Sequence, residues 1–129
     1  MDTAGNDVID RAQYVSFATR KRAGDFVATP VWCAPADGSY YIFSAGDAGK
    51  VKRLRNFSES RLAPCTVNGR VTGEWVDTEA WLLEDDTDIA TALAALRRKY
   101  GWQMRIADIL STLSGKMQRR AYIRVDLAG

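Results

Sequence analysis

Histidine is absent from all 129 residues. That removes the commonest general base, the commonest metal ligand and the usual haem ligand together. It argues against a Ser-His triad, a His-based zinc site and a typical haem protein, and no carboxylate cluster with metal-ligand spacing takes its place. Cysteine is scarce, with only Cys33 and Cys65. Two cysteines make no disulfide framework, and without a Cys-x-x-Cys spacing they read as buried free thiols inside apolar strand segments. No apolar run approaches the length of a membrane span. The opening Met1-Asp-Thr-Ala-Gly-Asn-Asp7 is polar and acidic, unlike a signal peptide, so the expected compartment is the cytoplasm. A large charge excess is also missing. Lys plus Arg (18) exceed Asp plus Glu (16) by two, so no whole-protein field draws nucleic acid or a membrane.

What is present fits one soluble domain spanning 1–129. The chain is too short for a second core, and its 47% hydrophobic and 26% charged content is that of an ordinary globular protein. The charge is uneven. Glu74 to Asp88 is acidic, whereas Lys50 to Arg61 and Arg97 to Arg120 are basic, which offers local seats for an anion.

The most telling stretch is Ser44-Ala-Gly-Asp-Ala-Gly-Lys50-Val-Lys-Arg53-Leu-Arg55, which follows the strand signal Ser39 to Phe43. A strand, a Gly-rich turn and a helix that opens with Lys can cradle an anion through free N–H groups and the helix dipole. Gly46 and Gly49 let the backbone bend and approach a bound group. Lys50 adds a full charge, and Arg53 lies one turn on, on the same face. A P-loop is excluded, because two residues rather than four separate Gly46 from Gly49, and Val51 follows Lys50. Two readings stand side by side: a seat for a phosphate-bearing molecule, and a solvated basic helix after a hairpin.

The rest reads mainly as strands. Asp7 to Arg11 starts a short helix, and Tyr14 to Thr19 is a strand with a turn at Lys21 to Asp25. Phe26 to Ala34 is a second strand, placed at an edge or bent by Pro30. Asp37-Gly38 turns the chain into Tyr40 to Ser44. Leu62 to Val67 and Glu74 to Leu83 flank the hairpin signal Asn68-Gly69. Strands at short, even spacing suggest a closed antiparallel barrel. Two helices follow. Ile89, Leu93, Leu96 and Tyr100 line a face of the first, with acidic residues at its start and Arg97 to Lys99 at its end, and Gly101 stops it. Ile106, Ile109, Leu110 and Leu113 line a face of the second, up to Gly115. Ala121, Ile123, Val125 and Leu127 then alternate with polar residues in a half-buried strand that completes the barrel.

Thr29-Pro-Val-Trp32, Gly49-Lys-Val-Lys-Arg-Leu-Arg55, Ala63-Pro-Cys65 with Gly69-Arg-Val-Thr-Gly73, and Arg98-Lys-Tyr-Gly101 occur in this order. Together, over Tyr14 to Leu127, they resemble the pyridoxamine 5′-phosphate oxidase-like flavoproteins, and within them the deazaflavin (F-420)-dependent branch. The resemblance implies a mainly β, α+β fold: a split antiparallel β-barrel of Greek-key order with peripheral helices. It implies a homodimer, with FMN or F-420 bound at the subunit interface. It places the ring beside Thr29, Pro30, Val31 and Trp32, and the phosphate against Ser44, Ala48, Gly49, Lys50 and Arg53. In the wider family the turn carries Ser-Arg-Lys, and here it reads Ala48-Gly49-Lys50. Pyridoxamine phosphate oxidation is therefore not expected, and the phosphate must lean on backbone N–H groups.

Beside this, the residues leave alternatives. Trp32 reads as core as readily as ring-side, and Trp75 and Trp81 read as core or dimer packing. Arg20-Lys21-Arg22 reads as a solvated turn or a contact for an acidic cofactor tail. No acid–base residue stands out, so the chemistry implied is a hydride carried by the cofactor to or from a small unsaturated molecule. The alternative is a non-catalytic flavin or tetrapyrrole carrier. Nucleic-acid binding is not supported, since the basic helix has no aromatic stacking series beside it.

Overall fold

A computed structural model of the protein describes residues 3–128. Met1 and Asp2 of the polar opening lie outside the described residues. Seven strands form one antiparallel sheet: β1 Tyr14–Arg20, β2 Phe26–Val31, β3 Cys33–Ala36, β4 Ser39–Ala45, β5 Glu59–Cys65, β6 Val76–Leu82 and β7 Arg120–Leu127. Their order is β2-β1-β5-β6-β7-β4-β3. Two hairpins, β1–β2 and β3–β4, thus take the two ends, and the meander β5–β6–β7 fills the middle. The final strand does complete the sheet, pairing Ile42 with Ile123 on one side and Ala80 with Val125 on the other.

The sheet curls around Val15, Phe17, Tyr40, Ile42, Leu62 and Ile123, each fully buried. It does not close. No ladder joins the edge strands β2 and β3, and the barrel is split. Prolines mark these edges, since neither Pro30 in β2 nor Pro35 in β3 has an N–H to give. The single strand expected over Phe26 to Ala34 is two strands, and the break falls at Trp32 rather than at Pro30.

Four helices surround the sheet: α1 Asp7–Arg11, α2 Gly49–Leu54, α3 Asp86–Tyr100 and α4 Trp102–Leu113. Asp85 caps α3, its carboxylate accepting from the N–H groups of Thr87 and Asp88. Ala92, Ala95, Leu96 and Tyr100 bury one stripe of α3 against Ala34, Tyr41 and Tyr122 on the outer face of the sheet. Gly101, at φ 55°, ends α3 as expected. A 3₁₀ turn, Met117–Arg119, leads into β7.

The apolar face of α4 is not covered. Ile106, Ile109, Leu110 and Leu113 are 48%, 52%, 61% and 80% exposed, and Met104 is the buried anchor. Trp75 and Trp81 are also exposed, at 42% and 37%, which removes the core reading for both. Trp81 instead lies under the guanidinium of Arg124. Cys33 is fully buried, but Cys65 only partly.

Candidate functional site

The split lies between the edge strands β2 and β3, which follow one another in the chain across Trp32. Cys33 pairs with Ile42, so continuing that register places Trp32 opposite Phe43, and their rings meet edge to face at 6.1 Å. Trp32 therefore meets Phe43 of β4 at the step from β2 to β3, while Thr29, Pro30 and Val31 pair with Phe17, Ser16 and Val15 of β1. Ser44 is buried, and its hydroxyl donates to the Ala45 carbonyl. Trp32 is half-buried and lies parallel to Tyr100, with ring centroids 4.8 Å apart. It is neither a barrel-core residue nor a free platform.

The end of α3 holds the break in place. The Cys33 N–H donates to the Tyr100 hydroxyl at 2.8 Å, and that hydroxyl faces the carbonyls of Gln13 and Cys33. The Lys99 ammonium donates to the carbonyls of Ala12 at 2.8 Å and Cys33 at 2.6 Å. Burial lowers the Lys99 pKa and raises that of the Tyr100 hydroxyl. Burial also pushes the Cys33 thiol up to about 12, which keeps it protonated and unreactive. Nearby, Tyr40 donates to Asp10 Oδ1 at 2.6 Å. The sequence signal for the clamp was the basic last turn of α3, but its targets lie more than sixty residues away.

The chain leaves β4 through Gly46, Asp47 and Ala48 into α2. Ala48 makes no side-chain cap, and the first turn of α2 has no acidic residue. With six residues, α2 is too short to contribute much of a dipole. The attraction for an anion must come from side chains. Lys50 is half-buried, and its pKa is lowered by burial first and by Arg53 second. Arg53, also half-buried, donates through Nε to Thr19 Oγ1 at 2.6 Å. Thr19 pairs with Val27, two residues before Thr29, which joins the two halves of the site. Neither Lys50 nor Arg53 has a carboxylate partner among the described residues. Two cations half withdrawn from water with no counter-charge are costly unless an anion joins them.

The two glycines differ from the expectation and from each other. A Cβ on Gly46 would collide with the Arg119 carbonyl, to which the Gly46 N–H donates at 2.8 Å. Its small size serves that contact, not a ligand. A Cβ on Gly49 would lie 2.9 Å from Arg53 Nη1, so Gly49 makes room for the guanidinium.

Arg20, Lys21 and Arg22 do not sit alone. With Lys52, Arg53, Asn56 and Phe57 they line a groove of about 240 Å³. Arg20 is the member paired with a carboxylate, Glu59, and it also covers the Phe57 ring. A larger cavity of about 570 Å³ opens on the other side of the β4–α2 turn and includes Ser44. Sequence reasoning did not find it.

A phosphate-bearing cofactor fits these residues. Lys50 and Arg53 offer charge without a carboxylate partner among the described residues, Gly49 lets the Arg53 guanidinium lie against the start of α2, and Thr29 Oγ1 is buried without a hydrogen-bond partner. Among the described residues, no group of three or more Cys, Asp or Glu could hold a metal ion.

No protein-family profile matches the sequence, and no curated protein does. Solved structures do match. HutZ, a haem storage protein from Vibrio cholerae, superposes with a TM-score of 0.70 at 13% identity, over 95% of this chain and 87% of that one. A Listeria innocua protein that carries the name of a pyridoxamine 5′-phosphate oxidase gives 0.62 at 12% identity, over 95% and 90%. An FAD-binding protein from Mesorhizobium loti gives 0.61 at 15% identity, over 95% and 84%. At such identities the likeness establishes the fold: the split barrel of the pyridoxamine 5′-phosphate oxidase-like proteins, which flavin-binding and haem-storing proteins share.

Proposed function

We propose that this chain binds FMN or F-420 in the split and works as an oxidoreductase that passes a hydride between that cofactor and a small unsaturated molecule. The observation that carries the reading is the pair Lys50 and Arg53, half-buried, without carboxylate partners among the described residues, and joined through Thr19 to β2, the strand that carries Thr29–Val31 and leads into Trp32. Lys50 and Arg53 hold the phosphate. The edge strand β2 offers unpaired backbone groups and the free Thr29 hydroxyl along the ring. Tyr100 and Lys99 fix the end of that strand, so the ring meets a preset wall. The bound ring supplies the two-electron chemistry, and the protein supplies binding, orientation and exclusion of water. The F-420 branch is favoured by the motif Gly49 to Arg55, in which Ala48-Gly49 stands where the oxidases carry Ser-Arg. A homodimer with the cofactor between its subunits belongs to the same proposal.

A second reading, a non-catalytic carrier of flavin or tetrapyrrole, is favoured by the fold shared with a haem storage protein. The absence of histidine weighs against its haem form, since no imidazole is available as axial ligand. The absorption spectrum of the purified protein, followed by stopped-flow reoxidation of the reduced, bound cofactor across a panel of enones and quinones, separates the two. Faster reoxidation with an acceptor supports the enzyme. A bound cofactor shielded from every acceptor supports the carrier.

A further inference from the structure

We propose that the exposed face of α4 receives a second copy of this chain, and that the part it receives is the acidic face around Trp81. The dimer itself rests on the proposed function; the choice of faces rests on packing and charge.

α4 is an amphipathic helix attached by its polar side. Met104, Ala107, Asp108 and Ser111 share one side at helical spacing. Met104 is fully buried. Arg120 holds the other three, donating to Asp108 Oδ1 and Ser111 Oγ, each at 2.7 Å, and to the Ala107 carbonyl at 3.1 Å. The opposite side carries Trp102, Ile106, Ile109, Leu110 and Leu113, of which Trp102 is 69% and Leu113 80% exposed. A helix that turns its whole apolar side to water leaves that side for a partner.

Charge selects the partner. Arg105 stands one turn from both Trp102 and Ile109, and Lys116 and Arg119 follow the helix. All three are exposed and have no carboxylate partner among the described residues. Asp108, the acid of α4, is already shared between Arg97 and Arg120. The face is therefore apolar with a basic rim. Its complement lies in the same chain. From Glu74 to Asp88 no Lys or Arg occurs, and among the described residues Asp77 is the one carboxylate of that segment in an ion pair, with Arg61. Trp81 stands within it, 37% exposed, and Glu79 precedes it on the same face of β6. A groove of about 660 Å³ between Arg97, Trp102, Arg105 and Ile109 offers that indole ring a seat.

α3 joins the two faces. Trp81 pairs with Arg124 and Arg124 with Tyr41, so Trp81 shares the outer face of the sheet with Tyr41, against which α3 packs. α3 runs from the acidic segment to α4 and is tied to α4 by Arg97 and Asp108. A two-fold axis across α3 brings the start of this helix in one copy to its end in the other. Each α4 then meets the acidic face of the other copy, and every contact is made twice.

The test uses the purified full chain without cofactor, in analytical ultracentrifugation, with circular dichroism to follow the fold. The wild type should dimerise, with a dissociation constant that rises with salt. Arg105→Glu combined with Lys116→Glu makes the rim of α4 acidic, and Glu79→Lys combined with Glu84→Lys makes the Trp81 face basic. All four positions are exposed, so the fold should survive. Each doubly substituted chain alone should dimerise about a hundredfold more weakly, because like charges now meet. An equimolar mixture of the two should restore the dimer, because each face again meets its opposite. Leu110→Ser should weaken the wild-type dimer with no change of charge. A monomeric wild type, indifference to salt or to Leu110→Ser, a reversed chain that dimerises like the wild type, or a mixture that stays monomeric would each overturn the pairing. A monomer that instead sediments with phosphatidylglycerol vesicles would overturn it in favour of a lipid surface. Failure to bind any cofactor would leave these results unchanged, whereas a dimer that ignores the reversals would overturn the pairing alone.

Discussion

The guanidinium of Arg53 lies against Gly49 so closely that a Cβ there would stand 2.9 Å from its Nη1. A cation is thus folded back over the start of its own helix, next to Lys50, with no carboxylate in that turn. In the proposed function an anion completes this arrangement.

Gly49→Ala should therefore separate binding from stability. Gly49 has no positive φ, and alanine is the better helix former by about 1 kcal/mol. The methyl group meets the far end of a flexible side chain, which can move aside. Thermal unfolding should show stability unchanged or raised. Titration should show cofactor affinity lowered severalfold, because Arg53 has been displaced.

Lys50 makes that affinity pH-dependent. Burial lowers its pKa from the ordinary 10.5, so holding its charge costs folding energy that is relieved as pH rises through the lowered value. A bound phosphate favours the charged form and opposes this shift. Affinity for a phosphate-bearing cofactor should be full near neutral pH and decline on the alkaline side before pH 10.5. Binding measured across this range should decline in the wild type, and Lys50→Gln should remove the decline.

The clamp at the end of α3 yields a stability prediction. Tyr100→Phe keeps the stack on Trp32 and deletes the acceptor of the buried Cys33 N–H. Leaving that group unsatisfied should cost about 1–3 kcal/mol, read as a lower denaturant midpoint at unchanged slope. An unchanged midpoint would mean that the clamp does not hold the strand break.

The stripe Ile106, Ile109, Leu110 and Leu113 on one face of α4 is exposed, as are Trp75 and Trp81, and a contiguous apolar helix face of this kind marks an interface. Light scattering at micromolar concentration should return twice the 14.3 kDa chain mass. A monomer mass would remove the dimer and the interface position of the cofactor.

The strands were legible because their signals are local: Asp37-Gly38 turns with both residues at positive φ, and alternation marks β7. The break at Trp32 was not, because Lys99 and Tyr100 impose it from a distant helix, while Pro30 fits an edge strand without interrupting it. Periodicity showed that α4 has an apolar face but could not show what covers it. Lys50 and Arg53 were readable as a pair on one helix face. Their lack of counter-charges, and the role of Gly46 against Arg119, depend on the fold.

In the proposed function, Lys50 and Arg53 hold the phosphate of a flavin or deazaflavin. Lys50→Ala is the sharpest probe of that seat, because the half-buried cation it removes has no hydrogen-bond or ion-pair partner among the described residues to lose. Wild type and variant are titrated with both FMN and F-420, followed by absorbance and fluorescence. The wild type should bind one of the two, and the variant should bind it about tenfold to a hundredfold more weakly with its unfolding temperature preserved. Equal affinity in wild type and variant, or no binding of either cofactor by the wild type, would contradict it.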